Sequence, residues 1–541
     1  MNDDTSHLRY AIYAILLTVA AANIAARIAT VDSPDPRHAT PFQSANDRSR
    51  WSTVRAIVDE GTFAIDDVIK QRGWDSIDKV WHRGPDGKLH YYSSKPPLLS
   101  IAVAGVYWVV KQVTGASFEN RDHAYYVGRI LLALTQLLPL MIGLVAITAL
   151  IERYGATDWG RIFTVACVAL GSQLVTFGVT FSNHVPAAVA VALAIYFLAA
   201  IWIEGETSWW NFVLAGLFTA LCFAGELPAA AFAAIIGLAI FWRHPTMTLI
   251  GFLPPALLVV FAAQGSNYLV HGTWFPAYSQ RGVGSEICRL ENPQAAWLTP
   301  GPVDAAFRLR LRDAGEIELS PEAKIVPPNL GGSAEIEGIA EPAEVQKAEL
   351  RDLPNGERYA LEFDGEKLVV RTWADWYDYD KSYWRTKGKL QGVDRGEPSM
   401  AMYAVHCLVG HHGIFSLSPI WLLTIGGLCL AMFNRDAKLR DLAILTLLVS
   451  VICLAFYLSR PQIDRNYGGV SCALRWLLWL HPLWLLGLLP AADKLGTSRW
   501  GQILCYVLLA ISAFTVFYAG DNPWQHPWPL QFARYMAWVE M

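Results

Sequence analysis

Charge is what this chain has least of. Asp, Glu, Lys and Arg make up only 17% of its 541 residues, and the formal net charge is −4. So weak a balance provides no basic surface for a polyanion, which excludes nucleic acid as a partner. Cysteine is sparse and unpatterned. Cys167, Cys222, Cys429, Cys453 and Cys505 lie inside apolar runs, where a thiol behaves as a small hydrophobe. Cys288, Cys407 and Cys472 fall outside them; no pair has metal-ligand spacing, and Cys288 with Cys407 is a candidate disulfide. Internal repeats are absent, which removes the support an inverted-repeat transporter would need. The first span, about Leu8 to Ile28, has no clear small-residue cleavage site and reads as an anchor rather than a signal peptide.

Apolar length is what the chain has in quantity. Its mean hydropathy is +0.29 and 53% of its residues are hydrophobic. Apolar runs fall near 8–30, 97–116, 126–152, 160–182, 184–203, 210–225, 227–243, 247–269, 416–433, 440–458, 473–491 and 500–519. Runs of ~17–25 such residues cross a ~30 Å hydrocarbon core as helices, so the expected fold is an all-α polytopic membrane protein of about 11–13 segments. The 22 Trp and 21 Tyr suit interfacial belts.

Positive residues assign the sides. The turns at Arg153 and Arg161, Arg243-His244, Arg435 to Arg440 and Lys494 to Arg499 are expected in the cytoplasm. The loops at Asn183-His184, 270–415 and 459–472, and the C-terminal tail, are then outside. With the N-terminus inside, these sides leave one crossing too many between residues 31 and 153. The run 97–116, which carries Lys111 and leads into polar Ser117 to His123, is therefore expected to enter the bilayer and return to its starting side. The chain divides into an N-terminal membrane module (1–270) with a long outer loop (31–96), a large outer loop (271–415) and C-terminal helices (416–541). Within the large loop, about 289–371 is rich in Glu, Gly and Pro. Its alternating runs around Asn355-Gly356 and Asp364-Gly365 predict β-hairpins, hence a small β-rich extracytoplasmic insertion.

The 31–96 loop holds the first candidates for chemistry. A polar connector of that length directly after a first span is rarely only a connector. Asp47 opens a predicted amphipathic helix, Ser49 to Asp59, whose Trp51, Val54, Ile57 and Val58 suit a helix on the membrane surface. Asp is also a favoured N-cap, so capping is the alternative role for Asp47. Lys95-Pro96-Pro97 starts the next apolar run and holds a cation at headgroup level, as a phosphate ligand or as a snorkelling lysine. Glu226 lies between two apolar runs, where an acid is costly and function is the default. His184 either lines a site or ends a helix, and Arg475, after Gly468-Gly469, is either a second phosphate ligand or a helix-end anchor. His411-His412 precedes a span without the further ligands a metal would need. The run W-Y-D-Y-D-K-S-Y-W-R at 376–385 suits sugar stacking or an interfacial belt.

Taken in order, N-D-R-S-R-W at 46–51, a short helix, Gly61 and S-K-P-P-L at 94–98 resemble the first outer loop of the GT-C glycosyltransferases. The likeness is to the protein mannosyltransferase and aminoarabinose transferase group, a family 39-like pattern. G-R-I-L-L-A-L at 128–134 and L-A-G-L-F-T-A-L-C-F-A-G-E-L-P at 214–228 are similar to later segments of that group. G-H-H-G-I-F-S-L-S-P at 410–419 and N-Y-G-G-V-S-C-A-L-R-W at 466–476 extend the likeness in outline.

The resemblance implies a GT-C-like helical bundle in the plasma (inner) membrane, with its site and C-terminus outside. It would transfer a sugar, with inversion, from a polyprenyl-phosphate carrier to an extracytoplasmic acceptor. Asp47 falls on the family's base and Lys95 on the lysine that meets the carrier phosphate. Arg475 joins as a phosphate ligand, and Arg50, Asn183, His184, Glu226, His411 and His412 are candidate substrate contacts. No cofactor is expected, a divalent metal being left open. The sequence departs from the family at Arg48, Ser94, Gly225-Glu226 and Asn183-His184, where other residues are usual. A transporter or flippase, or a non-catalytic glycolipid-binding member of the fold, are the competing functions.

Overall fold

A computed structural model describes residues 3–31, 41–326, 346–352, 354, 356–363, 366–385, 390–434 and 439–538. It is mostly helical. Eight of its helices are long and apolar enough to cross a membrane, and shorter apolar helices cover 209–225, 227–243 and 421–433.

Polar contacts at the helix ends sort the bundle into two faces. Helix α1 (Asp3–Thr30) starts at one of them, where Arg9 pairs with Glu152 at 2.6 Å and Asp158 at 2.8 Å. Arg153–Glu204, Arg243–Asp441 and Asp493 bonded to Thr157 belong to the same face. The other face gathers the end of α1, where Arg129 donates to the Val31 carbonyl at 3.0 Å and Arg27 meets Asp521 at 3.3 Å. Asn183, Glu226, Arg475 and Trp524 are there as well. Every turn assigned to the cytoplasm that lies in the described residues is on the Arg9 face; residues 435–438 are outside them. The start of α1 and the helix Trp528–Tyr535 near the other end of the described residues are on opposite faces.

The helix Pro97–Thr114 is not a pass between these faces. It runs beside α2 (Ala45–Arg55) and the π turn that continues it, Ala56–Glu60. Ser49 meets Ser93 just ahead of its start, and Lys111 near its end meets Asp59 at 2.7 Å. Phe118 then packs against Phe42, Trp51 and Trp74, and the 34-residue helical stretch Arg121–Tyr154 leads from that face back to Glu152. Both ends of the 97–114 helix therefore belong to the Arg475 face, as its charge pattern predicts. The apolar side of α2 does not lie on lipid, contrary to expectation. Trp51 and Val54 are buried, and the aromatic cluster of Phe42, Trp74, Phe118 and Phe181 takes the place a membrane would have.

The helix His184–Trp202 runs through the middle of the bundle. Its Ala-rich sequence lets neighbours approach closely, the route by which helices associate where no hydrophobic drive exists between them and lipid. Helices Trp421–Phe433 and His481–Leu495 use the same device: a Cβ on Gly427 would stand 2.1 Å from the Gly487 carbonyl oxygen.

Outside the bundle, β1 (Lys79–Arg83) and β2 (Leu89–Ser93) form an antiparallel hairpin in the first loop. The insertion holds β3 (Val283–Glu291), β4 (Gly301–Pro302), β5 (Lys324–Val326), β6 (Gln346–Asp352), β7 (Glu357–Phe363) and β8 (Lys367–Trp373). They pair antiparallel in the order β3-β8-β7-β6-β5-β4, over a core of Phe307, Leu311, Leu350, Leu361, Leu368 and Val370. The two predicted hairpins are present as β6-β7 and β7-β8, although Asn355, Asp364 and Gly365 lie outside the described residues. The candidate disulfide is not formed. Cys288 is in β3, Cys407 is buried in the helix Met400–Leu408, and both are free thiols.

The aromatic run at 376–385 packs against the first loop. It clamps the insertion to the β1–β2 hairpin: Trp81 N–H donates to the Trp376 carbonyl at 2.8 Å and Trp384 Nε1 to the Ile77 carbonyl at 2.8 Å. His82 stacks on Trp376 at 4.0 Å, and Tyr377 and Tyr379 are buried.

Candidate active site

Asp47 caps α2. Ser44 is the N-cap, and its hydroxyl and the Asp47 carboxylate form a reciprocal capping box. The Asp47 oxygens accept from the backbone N–H groups of Gln43 (3.0 Å), Ser44 (2.8 Å) and Arg48 (2.8 Å), and from the hydroxyls of Ser44 (3.1 Å) and Thr180 (3.2 Å). Trp524 Nε1 in turn donates to Thr180 Oγ1 at 2.9 Å. Burial pushes the Asp47 carboxyl above its ordinary value, against the Ser44 N–H, Arg48 and the Gln43 N–H, which hold it down.

One turn along α2 is Arg50, 4% exposed. Its guanidinium donates to the Asn46 carbonyl and side chain and, at 2.5 Å, to Asn183 Oδ1. Asn183 Nδ2 passes a 2.8 Å bond to Glu226 Oε1, the same oxygen that accepts from His184 Nδ1. His184 Nε2 lies 3.3 Å from Arg475 Nη1. Arg475 is completed by Nε donating to the Gly468 carbonyl at 2.6 Å and by the Trp524 ring 4.7 Å beneath its guanidinium carbon. Buried Arg50 and half-buried Arg475 thus reach one buried carboxylate only through neutral side chains. Among the described residues no carboxylate lies within ion-pair distance of either.

Lys95 stands across the site with its Nζ 3.0 Å from Asp78 Oδ2; the two side chains are 17% and 15% exposed. Asp78 is held from behind, its own carbonyl accepting from the Ser49 hydroxyl, the Ser94 N–H and the Ser94 hydroxyl. Burial lowers the affinity of all three cations for their protons. It pushes Arg50 down to about 10 with Arg475 adding repulsion, and Lys95 down against the attraction of Asp78. The arrangement is a polar cluster at one face of the bundle, where Arg50, Lys95 and Arg475 stand among Asp47, Asp78 and Glu226; Lys95 pairs with Asp78, while the two guanidiniums meet neutral acceptors, donors that suit an anion with several oxygens.

The fold thus brings Asp47, Arg50, Lys95, Asn183, His184, Glu226 and Arg475 to one neighbourhood. His411 and His412 stay apart from it. His412 stacks on Tyr467 at 4.6 Å and His411 on His406 at 4.0 Å. Among the described residues no group of three or more His, Cys, Asp or Glu side chains is arranged to hold a metal. Sequence reasoning missed Asp78, Thr180 and Trp524. Asp78 was within reach: the P-D-G turn at 85–87 predicts a hairpin, and its Lys79↔Ser93 register sets Asp78 beside Ser94 and Lys95. Nothing local marks Thr180 or Trp524.

No family model matches the chain, and no curated protein does. Solved structures with similar backbones include the S. cerevisiae protein O-mannosyltransferase Pmt1-Pmt2 complex bound to the sugar donor. It is 12% identical, with a TM-score of 0.43 over 98% of this chain and 92% of that one. The apo oligosaccharyltransferase of Archaeoglobus fulgidus is 11% identical, with a TM-score of 0.41 over 97% of this chain and 57% of that one. The archaeal oligosaccharyltransferase AglB of the same organism, in complex with an inhibitory peptide and a dolichol-phosphate, is 11% identical, with a TM-score of 0.42 and the same coverage.

Proposed function

We propose that this chain is a membrane glycosyltransferase that moves a sugar from a polyprenyl-phosphate carrier to an extracytoplasmic acceptor, with inversion. The observation that carries this function is the pair of guanidiniums, buried Arg50 and half-buried Arg475, hydrogen-bonded among the described residues only to neutral groups. Burying a guanidinium with no carboxylate in ion-pair contact is costly, and a phosphate between Arg50, Arg475 and Lys95 supplies that contact. The cluster lies at the face where the chain leaves the apolar helices, the level at which a lipid-borne phosphate lies. That face is the extracytoplasmic one in this proposal, with the Arg9 face in the cytoplasm.

In the transfer, Arg50, Lys95 and Arg475 stabilise the negative charge that develops on the departing phosphate. Asp47 is the base. Its Oδ2 bond to the Thr180 hydroxyl is the one an acceptor hydroxyl can replace without breaking the backbone cap. A transporter would need facing charges midway through the bundle, whereas the charged clusters here sit at its two faces.

Purified protein incubated with labelled carrier-linked sugars tests the proposal. Label should pass to acceptor or water in the wild type. Asp47→Asn, whose amide oxygen still caps α2, should bind carrier and transfer nothing. Binding without turnover in the wild type supports the glycolipid-binding alternative, and full activity in Asp47→Asn removes Asp47 as the base.

A further inference from the structure

Glu226 and His184 belong to the cluster yet have no part in neutralising a phosphate. Glu226 Oε1 accepts from His184 Nδ1, so in the neutral ring the proton is on Nδ1 and the Nε2 lone pair faces outward. It faces Arg475 Nη1, 3.3 Å away, which can only donate.

We propose that His184 is a second catalytic residue, the acid that meets the departing phosphate. This rests on the polyprenyl-phosphate function above. Without donor, Arg475 is bonded to a carbonyl and an imidazole, both neutral. A phosphate outcompetes these acceptors, because a guanidinium bonded to an anion gains ion-pair attraction that a neutral carbonyl or imidazole does not give. Once Arg475 turns to the phosphate, Nε2 has lost its donor and lies between an anion and the Glu226 carboxylate. The charged groups facing it are Glu226 from the turn after the 209–225 helix, Arg475 from the segment ahead of the 481–495 helix, and Arg50 from α2. Its own helix, His184–Trp202, carries no Asp, Glu, Lys or Arg. The arriving phosphate and Glu226 favour the imidazolium over the two arginines, and His184 takes a proton from solvent as the donor binds.

In the transfer the sugar C1–O bond breaks and its electron pair passes to the phosphate oxygen, turning a singly charged diester into a monoester. His184 Nε2–H gives that oxygen its proton. Asp47 takes the proton of the acceptor hydroxyl as the new C–O bond forms. Neutral His184 again accepts from Arg475, which loosens the hold on the product. The residue therefore acts where charge is larger in the transition state than in the bound donor.

Calorimetry on the full chain in nanodiscs, in two buffers of different ionisation enthalpy, tests the proposal. The probes are a polyprenyl phosphate monoester and its methyl diester. Because the donor is itself a diester, the wild type should take up close to one proton more on binding either probe than His184→Gln or Glu226→Gln does. His184→Gln should weaken both, the more highly charged monoester about tenfold and the diester about threefold. Equal weakening of both probes, or proton uptake unchanged in both variants, overturns the proposal. The Glu226→Gln variant is the same size and keeps the test open if His184→Gln does not fold. Failure of the wild type to bind either probe is a separate result, which refutes the phosphate site itself.

Discussion

Replacing Arg475 by Ala separates a phosphate ligand from a helix-end anchor. In the free protein the side chain donates to the Gly468 carbonyl and to His184 Nε2 and lies on Trp524. Truncation leaves two acceptors unmet, at about 1–3 kcal/mol each where they stay dry, but it also removes a half-buried cation whose desolvation opposes folding. These terms oppose each other, so the thermal midpoint should move by only a few degrees. Carrier affinity has no such offset. One charge-assisted bond to a phosphate is worth about 1.5–3 kcal/mol, so Kd for a polyprenyl phosphate should rise about 10- to 150-fold. Arg475→Lys should fall between, since lysine keeps the charge but cannot hold Gly468 and the phosphate together. Titration of a fluorescent polyprenyl phosphate against both variants, with midpoints measured on the same samples, decides the matter. A Kd within threefold of wild type for Arg475→Ala, together with a large loss of stability, would make Arg475 an anchor and refute the cradle.

Lys95 and Asp78 should move carrier binding in opposite directions. Lys95→Ala weakens it, while Asp78→Asn releases Lys95 from its 3.0 Å pair, tightens binding several-fold and leaves transfer intact; unchanged affinity in Lys95→Ala would mark that residue as a snorkelling lysine. The clamp between hairpin and insertion should loosen in acid. Burial pushes His82 down to about 4, so below about 6.5 the unfolded ring takes a proton that the folded one refuses. Stability is then lost as pH falls from about 6.5 to about 4, by at most about 3 kcal/mol. Asp375, pushed by burial up to about 6, works the other way: its folded form keeps a proton that the unfolded form loses above about 4, so its cost grows as pH rises. Hydrogen exchange of the β1–β2 hairpin at pH 7 and pH 5 isolates the histidine by comparing wild type with His82→Phe, which retains the stack on Trp376. Identical pH dependence in the two proteins would sink the assignment.

Much of the site could be found from sequence because each part carries a local cost that only function or a cap repays. An acid at a predicted helix start, a lysine before two prolines and an acid between apolar runs all flagged themselves. The aromatic run at 376–385 could not be read from sequence alone, because side chains that could stack on a sugar also stack on His82 and meet Tyr91 edge-on. The apolar stripe of α2 misled for the same reason: periodicity reports that a face is covered, not whether lipid or protein covers it.

Apolar run length and the placement of arginines in short turns determined, without coordinates, that the chain crosses a bilayer repeatedly and which turns share a face. Those are properties of contiguous segments, set by the cost of unpaired backbone and charge in hydrocarbon. Only the tertiary structure decided that the 97–114 helix lies against α2, that Asp78 faces Lys95, and that His184 stands between Glu226 and Arg475. These contacts join residues tens to hundreds of positions apart. No local propensity encodes such a meeting; it follows from how the helices pack.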